Sequence, residues 1–117
     1  KEMLPECDVN VYPLEDTEKL YAEIKDSDIL VNATKVGMKP LDGQSLIEDT
    51  SVFRPDLVVA DVVYNPKETK FVQDAKAAGC KVAVGGIGML LWQGAAAFKL
   101  FTGEDMPTDE VYELFFK

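Results

Sequence analysis

Gly85-Gly86-Ile87-Gly88-Met89-Leu90-Leu91-Trp92-Gln93 is the stretch whose reading decides the fold. It leaves a short apolar strand, Val82-Ala83-Val84, and opens a helix that the pattern carries to about Phe101. No charged side chain occurs from Gly85 to Phe98 in a chain that is 28% charged, so this segment is expected to be buried or to face a ligand. Three glycines at a strand-to-helix turn leave main-chain groups uncovered, and a planar ring or a ribose can approach them without meeting a Cβ. Gln93, with donors and acceptors on one side chain, lies at the edge of any ligand docked there and can read a hydroxyl. The alternative is a tightly packed turn whose glycines serve close packing and whose Gln93 bonds a nearby loop. The turn lacks the full dinucleotide fingerprint: Leu91 stands where Gly or Ala is required, and no acidic residue follows a second strand about 20 residues on. A dinucleotide contacting this turn would do so at its nicotinamide end rather than at its pyrophosphate.

Working outward, two continuous apolar runs, within Asp28-Ile29-Leu30-Val31-Asn32 and Leu57-Val58-Val59-Ala60-Asp61, read as parallel strands covered on both faces. Val9-Asn10-Val11-Tyr12 alternates apolar and polar residues before Pro13 and predicts a further short strand near a sheet edge. Asp16 and Thr17 offer a helix cap ahead of Leu20, Tyr21 and Ile24 on one face. Phe71, Val72, Ala75 and Ala78 form a second helical stripe closed by Gly79, and a last helix follows Pro107 with Thr108 as cap. Leu41 to Pro55 is a connection with a packing point at Leu46-Ile47. The order predicts an α/β fold: a partial Rossmann-like, doubly wound parallel sheet of about four strands, with helices on both faces and the first βαβ unit missing. Ligands of such sheets bind outside the carboxyl ends of the strands. The loops Asn32 to Pro40 and Asp61 to Pro66 are therefore candidate site walls, with Lys35 and Lys39 as cations able to meet a phosphate or carboxylate. Lys39 reads more readily as a solvated loop lysine. Asp61 can orient its loop, and Tyr64 can offer its hydroxyl to the cleft.

The chain has 117 residues, enough for one domain, and carries 12 Lys and Arg against 21 Asp and Glu, a net charge of -9. That balance repels a nucleic-acid backbone or an anionic membrane, so neither is expected as a partner. Cys7 and Cys80 lack metal-ligand spacing, and there is no histidine, which excludes the usual metal sites and the commonest general base at neutral pH. Two reduced thiols, no spanning run and no leader predict a soluble, cytoplasmic protein. The lack of an initiating Met is expected of a piece of something longer.

Three stretches together carry a resemblance: Asn32-Ala33-Thr34-x-x-Gly37-Met38, Asp61-x-x-Tyr64-Asn65-Pro66, and Gly86-Ile87-Gly88-Met89-Leu90 followed by Gln93-Gly94-Ala95. In this order they resemble the carboxyl-terminal part of the shikimate dehydrogenase family, and Thr34 to Leu41 and Met89 to Ala95 resemble its quinate/shikimate dehydrogenase branch. The resemblance covers the chain from about residue 9 to the end. It implies a two-domain oxidoreductase of aromatic amino acid biosynthesis (the shikimate pathway) that moves a hydride between NAD or NADP and a ring carbon of shikimate or quinate. Residues 1 to 117 would be the carboxyl-terminal part of the NAD(P)-binding domain, and a missing amino-terminal domain would hold most substrate contacts and the catalytic Lys and Asp. Carried over, Gly86 and the main chain around Val62 and Val63 would hold the nicotinamide carboxamide and ribose, and Lys35 would lie by the cofactor. Tyr64 and Asn65 would line the nicotinamide pocket. Gln93, with Tyr64, would meet the substrate.

This chain shows no glycine-rich pyrophosphate loop, no residue to sort NAD from NADP, and no catalytic pair, so the isolated chain is expected to be inactive. Its implied partners are the small-molecule substrate and the missing domain, with a homodimer left open. Two other readings compete. The Asp61 to Pro66 turn resembles one by which some methyltransferases hold an amino group, and the acidic surface suits a noncatalytic α/β interaction module.

Overall fold

The computed structural model describes residues 5–117. A helix, α1 (Thr17–Asp26), leads into strand β1 (Ile29–Asn32), and a short 3-10 helix, Thr50–Val52, precedes β2 (Val58–Asp61). Then follow α2 (Lys70–Ala77), β3 (Val82–Val84), α3 (Ile87–Thr102) and α4 (Thr108–Phe115). The strands form one parallel sheet in the order β1-β2-β3, with Ile29 paired to Val58 and Val58 to Val82.

Local chemistry explains the helices. Asp16 caps α1 by accepting from the Lys19 amide at 3.1 Å, while Glu18 and Lys25 complement the helix dipole at its two ends. Thr69 caps α2, and Gly79, at φ 94°, ends its last turn in a conformation that glycine adopts without strain. Gly103 does the same for α3, its amide donating to the Lys99 carbonyl. The predicted helix after Pro107 forms with Asp109 and Glu110 in its first turn, but Thr108 is its first residue and makes no side-chain cap.

One sheet face carries the core. Leu30, Val59 and Ala83 point toward Ile24 of α1, toward Phe71, Val72 and Ala75 of α2, and toward Ile47, Phe53, Leu57 and Cys80. Phe53 and Phe71 meet edge to face at 5.9 Å. Burying each such side chain contributes about 1.5–3 kcal/mol. Ile47 is the expected packing point of its connection, and Cys80 is a small core residue whose Sγ lies 3.3 Å from the Arg54 carbonyl. Arg54 ties this layer together, donating to the carbonyls of Ile24 in the last turn of α1 and of Ser27 just past it.

Two expectations need correction. Among the described residues there are three strands, not about four: residues 9–12 form no strand and are exposed, Val11 at 88%. A strand needs a ladder partner, and none among the described residues reaches them. Helix α3, uncharged up to Phe98, is also mostly uncovered, with only Leu91 buried, Trp92 64% exposed and Phe101 87%. It packs mainly on α4 rather than on the sheet. The second sheet face, Ile29, Val31, Val58, Ala60, Val82 and Val84, is apolar throughout, and four of these six residues are exposed. Tyr112 of α4 and the first turn of α3 overhang only its carboxyl edge. The radius of gyration, 16.6 Å, accordingly exceeds the roughly 13 Å of a compact domain of this length. Among the described residues no helix is long and apolar enough to cross a membrane.

Candidate functional site

The carboxyl ends of β1 and β2 release two loops, 33–41 and 62–69, from the register pair Asn32 and Asp61. Both residues are buried, so their polar groups must be paired, and they are paired with the loops. The Asn32 amide nitrogen donates to the Val36 carbonyl and to Asp61 Oδ1, both at 3.0 Å. Its Oδ1 accepts from the Thr34 amide at 3.1 Å and from the Thr34 hydroxyl at 2.7 Å. Asp61 Oδ1 also accepts from the Val63 amide at 2.9 Å, and its Oδ2 from the Thr69 hydroxyl at 2.6 Å. Asp61 thus holds its own loop, as expected of it.

Between the loops lies a cleft of about 220 Å³, lined by Thr34, Met38 and Lys39 from the first loop and by Val62, Val63, Tyr64 and Asn65 from the second. Pockets that enclose a drug-sized ligand run to roughly 300–1,000 Å³, so this one suits a ring and the edge of a sugar. Val62 also borders a second cleft of about 550 Å³ beneath the overhang, where Gly85, Gly88, Met89 and Tyr112 face Val31, Ala60 and Val84. The two clefts adjoin at Val62, along the carboxyl edge of the sheet.

Of the sequence-derived site residues, Val62, Val63, Tyr64 and Asn65 come together in the smaller cleft. Lys35 is exposed and does not line it; Lys39, read as a solvated lysine, does. Gln93 is exposed on α3, one turn beyond Met89 and so on the helix face that reaches the second cleft. The glycine turn departs from the open-backbone reading. Gly86 is buried, its amide donates to the Val63 carbonyl at 2.9 Å, and its carbonyl accepts from Leu90. A Cβ on Gly86 would stand 2.2 Å from the Val62 carbonyl oxygen, and one on Gly85 would stand 2.5 Å from that of Lys67. These two glycines let main chain pack on main chain, and only Gly88 has open space. The close approach is what sets the second loop beside α3.

Sequence reasoning missed Thr69 and Tyr112. A Thr two residues before the Phe71 and Val72 stripe is a cap signal that could have drawn attention to Thr69. Nothing local marks Tyr112, whose place depends on how α4 folds back, with Lys67 donating to the main-chain oxygens of Phe116 and Lys117. Among the described residues no group of His, Cys, Asp and Glu could hold a metal ion.

The family model described as the shikimate 5'-dehydrogenase C-terminal domain matches residues 86–114. A shikimate dehydrogenase (NADP(+)) of Streptococcus uberis is 57% identical over 103 residues, 88% of this chain and 35% of its own. One from Listeria monocytogenes is 43% identical over 111 residues, 95% of this chain and 38% of its own. The crystal structure of a Listeria monocytogenes shikimate 5-dehydrogenase in complex with shikimate and NAD superposes with a TM-score of 0.89 at 43% identity, over 95% of this chain and 38% of that one. Quinate dehydrogenase from Corynebacterium glutamicum in complex with NAD gives 0.73 at 36% identity, over 84% and 34%. The chain therefore spans little more than a third of the length of the relatives it matches.

Proposed function

We propose that this chain, which belongs to the shikimate dehydrogenase family through that family's carboxyl-terminal part, is the nicotinamide side of an enzyme that interconverts shikimate and 3-dehydroshikimate, or quinate and 3-dehydroquinate, by hydride transfer with NAD or NADP. One observation carries the reading. Thr34, Met38, Tyr64 and Asn65, drawn from two separate motifs, converge on one cleft at the carboxyl ends of adjacent parallel strands, where open α/β sheets take their ligands.

The cleft's chemistry suits a nicotinamide, which when bound supplies or accepts the hydride. Val62, Val63 and Met38 offer apolar walls to a ring face and keep water from it, while Tyr64 and Asn65 bring a hydroxyl and a carboxamide to the rim. The Gly86 main chain is already paired, so the nicotinamide carboxamide would fall to the Val62 carbonyl, to which no group among the described residues donates. Gly86 serves by holding that carbonyl in place. Lys35, exposed on the first loop, would lie by the cofactor, and Gln93 would bond the substrate's hydroxyl or carboxylate region.

Proton transfer falls outside this chain. The family resemblance implies a general acid and base, a Lys and an Asp, in an amino-terminal domain that also carries most substrate contacts, and the absence of histidine here and of a carboxylate in the smaller cleft is consistent with that. Residues 1–117 then make up the later part of the NAD(P)-binding domain, working in the cytoplasm with that domain as partner. Relatives named for NADP(+) and a relative crystallised with NAD leave both cofactors in view.

The test follows nicotinamide absorbance with shikimate or quinate and either cofactor, for this chain alone and for a form extended at its amino end in its own reading frame. Turnover is expected only in the extended form. Turnover by the chain alone would overturn the division of labour. Inactivity of a folded, extended form with every pair of substrate and cofactor would overturn the dehydrogenase reading.

A further inference from the structure

We propose that Thr69 is a positioning residue that joins the two walls of the cleft and sets the distance between them. The first loop is bound to Asn32 and the second to Asp61, and the Asn32 to Asp61 hydrogen bond is a direct tie between the two sets. Thr69 adds a second tie of a different kind. Its hydroxyl donates to Asp61 Oδ2 at 2.6 Å, a charge-assisted bond that holds the carboxylate against the second loop. Its methyl group faces the first loop, where a Cβ built on Gly37 would stand 3.0 Å from Thr69 Cγ2 and 3.2 Å from Thr69 Cβ. Gly37 has φ 104°, a left-handed conformation that suits glycine, and its lack of a side chain lets the loop close down on that methyl.

Threonine alone among the common residues sets a hydroxyl and a methyl on one Cβ. Serine would keep the first contact and lose the second, and valine would do the reverse. Thr69 is itself anchored: it is 1% exposed, and its hydroxyl oxygen accepts from the Val72 amide at the start of α2. The helix that packs on β2 and β3 therefore presents, at its first turn, the group that spaces Met38 and Lys39 on one wall from Tyr64 and Asn65 on the other.

Two substitutions separate the contacts in the isotopically labelled 117-residue chain, with no ligand present. In T69V the amide resonance of Val63, bonded to the same carboxylate, moves while that of Gly37 stays. In T69S, which keeps the hydroxyl and the helix cap and so stands even where T69V does not fold, the Gly37 resonance moves and that of Val63 stays. Folded variants in which neither resonance moves, or in which both move alike, would overturn the assignment. The effect on ligand rests on the dehydrogenase reading and is measured with oxidised nicotinamide mononucleotide, well below the thermal midpoint of every variant. T69V is expected to bind roughly tenfold more weakly, the lower end of what one charge-assisted hydrogen bond commands. A T69V variant that stays folded and binds as wild type does would show that the wall spacing does not govern the site. Failure of the wild-type chain to give saturable shifts at Tyr64 and Val62 would count against the nicotinamide cleft itself, while the two amide resonances still decide the role of Thr69.

Discussion

Replacing Gly86 by alanine tests the main-chain contact that brings the second loop to α3. Gly86 sits at φ -79° and ψ 0°, open to any residue, so backbone strain plays no part and the cost is steric. The new Cβ would lie 2.2 Å from the Val62 carbonyl oxygen, 2.6 Å from its carbon and 2.9 Å from the Val63 carbonyl carbon. The closest of these falls about 1 Å or more short of a comfortable contact. Neither side yields easily. The Gly86 amide is bonded to Val63, Asp61 is fixed by three donors, and β3 is paired into the sheet. Overpacking that flexible side chains can absorb costs about 1–3 kcal/mol, and here main chain must move, so G86A is expected to cost about 3 kcal/mol. Against a whole-domain stability of about 5–15 kcal/mol that is a large share. Gly94 supplies the control: mid-helix in α3, with no atom within 4 Å of its built Cβ, it should gain about 0.5–1 kcal/mol as alanine. Urea unfolding of the three proteins, comparing midpoints and slopes, reads both signs. A G86A protein within about 0.5 kcal/mol of wild type, the range of an inert surface change, would refute the packing argument.

Asp61→Asn keeps the shape but gives the side chain an N–H of its own among three donors, from Asn32, Val63 and Thr69; one is left unpaired, and the thermal midpoint should fall by the equivalent of about 1–3 kcal/mol. An unchanged midpoint would mean that the network contributes nothing. A thiol reagent should label exposed Cys7 in the native chain and buried Cys80 only on unfolding. Burial pushes the Cys80 thiol up, partly offset by the Arg54 main chain and by the positive charge of the Arg54 side chain, so the unfolded chain ionises first. This contribution is then fully present below the ordinary thiol pKa of the unfolded chain and fades as pH climbs through the raised native one. C80A should flatten the alkaline decline of the urea midpoint, and an identical decline in both proteins would speak against it. Gln93→Ala, placed in the extended enzyme, should raise KM for shikimate or quinate more than KM for the cofactor, and equal changes would remove Gln93 from the substrate side.

Which features were legible from sequence follows from where their partners lie. The runs at Ile29, Val58 and Val82 became strands because each finds a neighbouring strand within the chain. Val9 to Tyr12 has the same local character and fails, because a ladder needs a second strand and pattern says nothing of whether one is at hand. The burial expected of α3, uncharged up to Phe98, was misread for a related reason. Apolar composition states what a helix would bury, whereas Trp92 and Phe101 remain open because no described residue covers them. The cleft walls were legible because strand ends in a parallel sheet locate ligand loops before any distance is known. Gly86 was not, since an uncovered backbone and a close-packed one call for the same residue, and only the 2.2 Å approach to Val62 separates them. The Asn32, Thr34 and Asp61 positions that carried the family resemblance turn out to bond one another and their own loops rather than line the cleft as a set. Thr34 alone of the three borders it. On the proposed reading such motif residues bear on ligand binding indirectly: they fix the two loops, and the loops bring Met38, Tyr64 and Asn65 to the cleft. A substitution at Asn32 or Asp61 should therefore disturb binding and stability together, whereas one at Tyr64 or Asn65, exposed at the rim, should reach binding with stability unchanged.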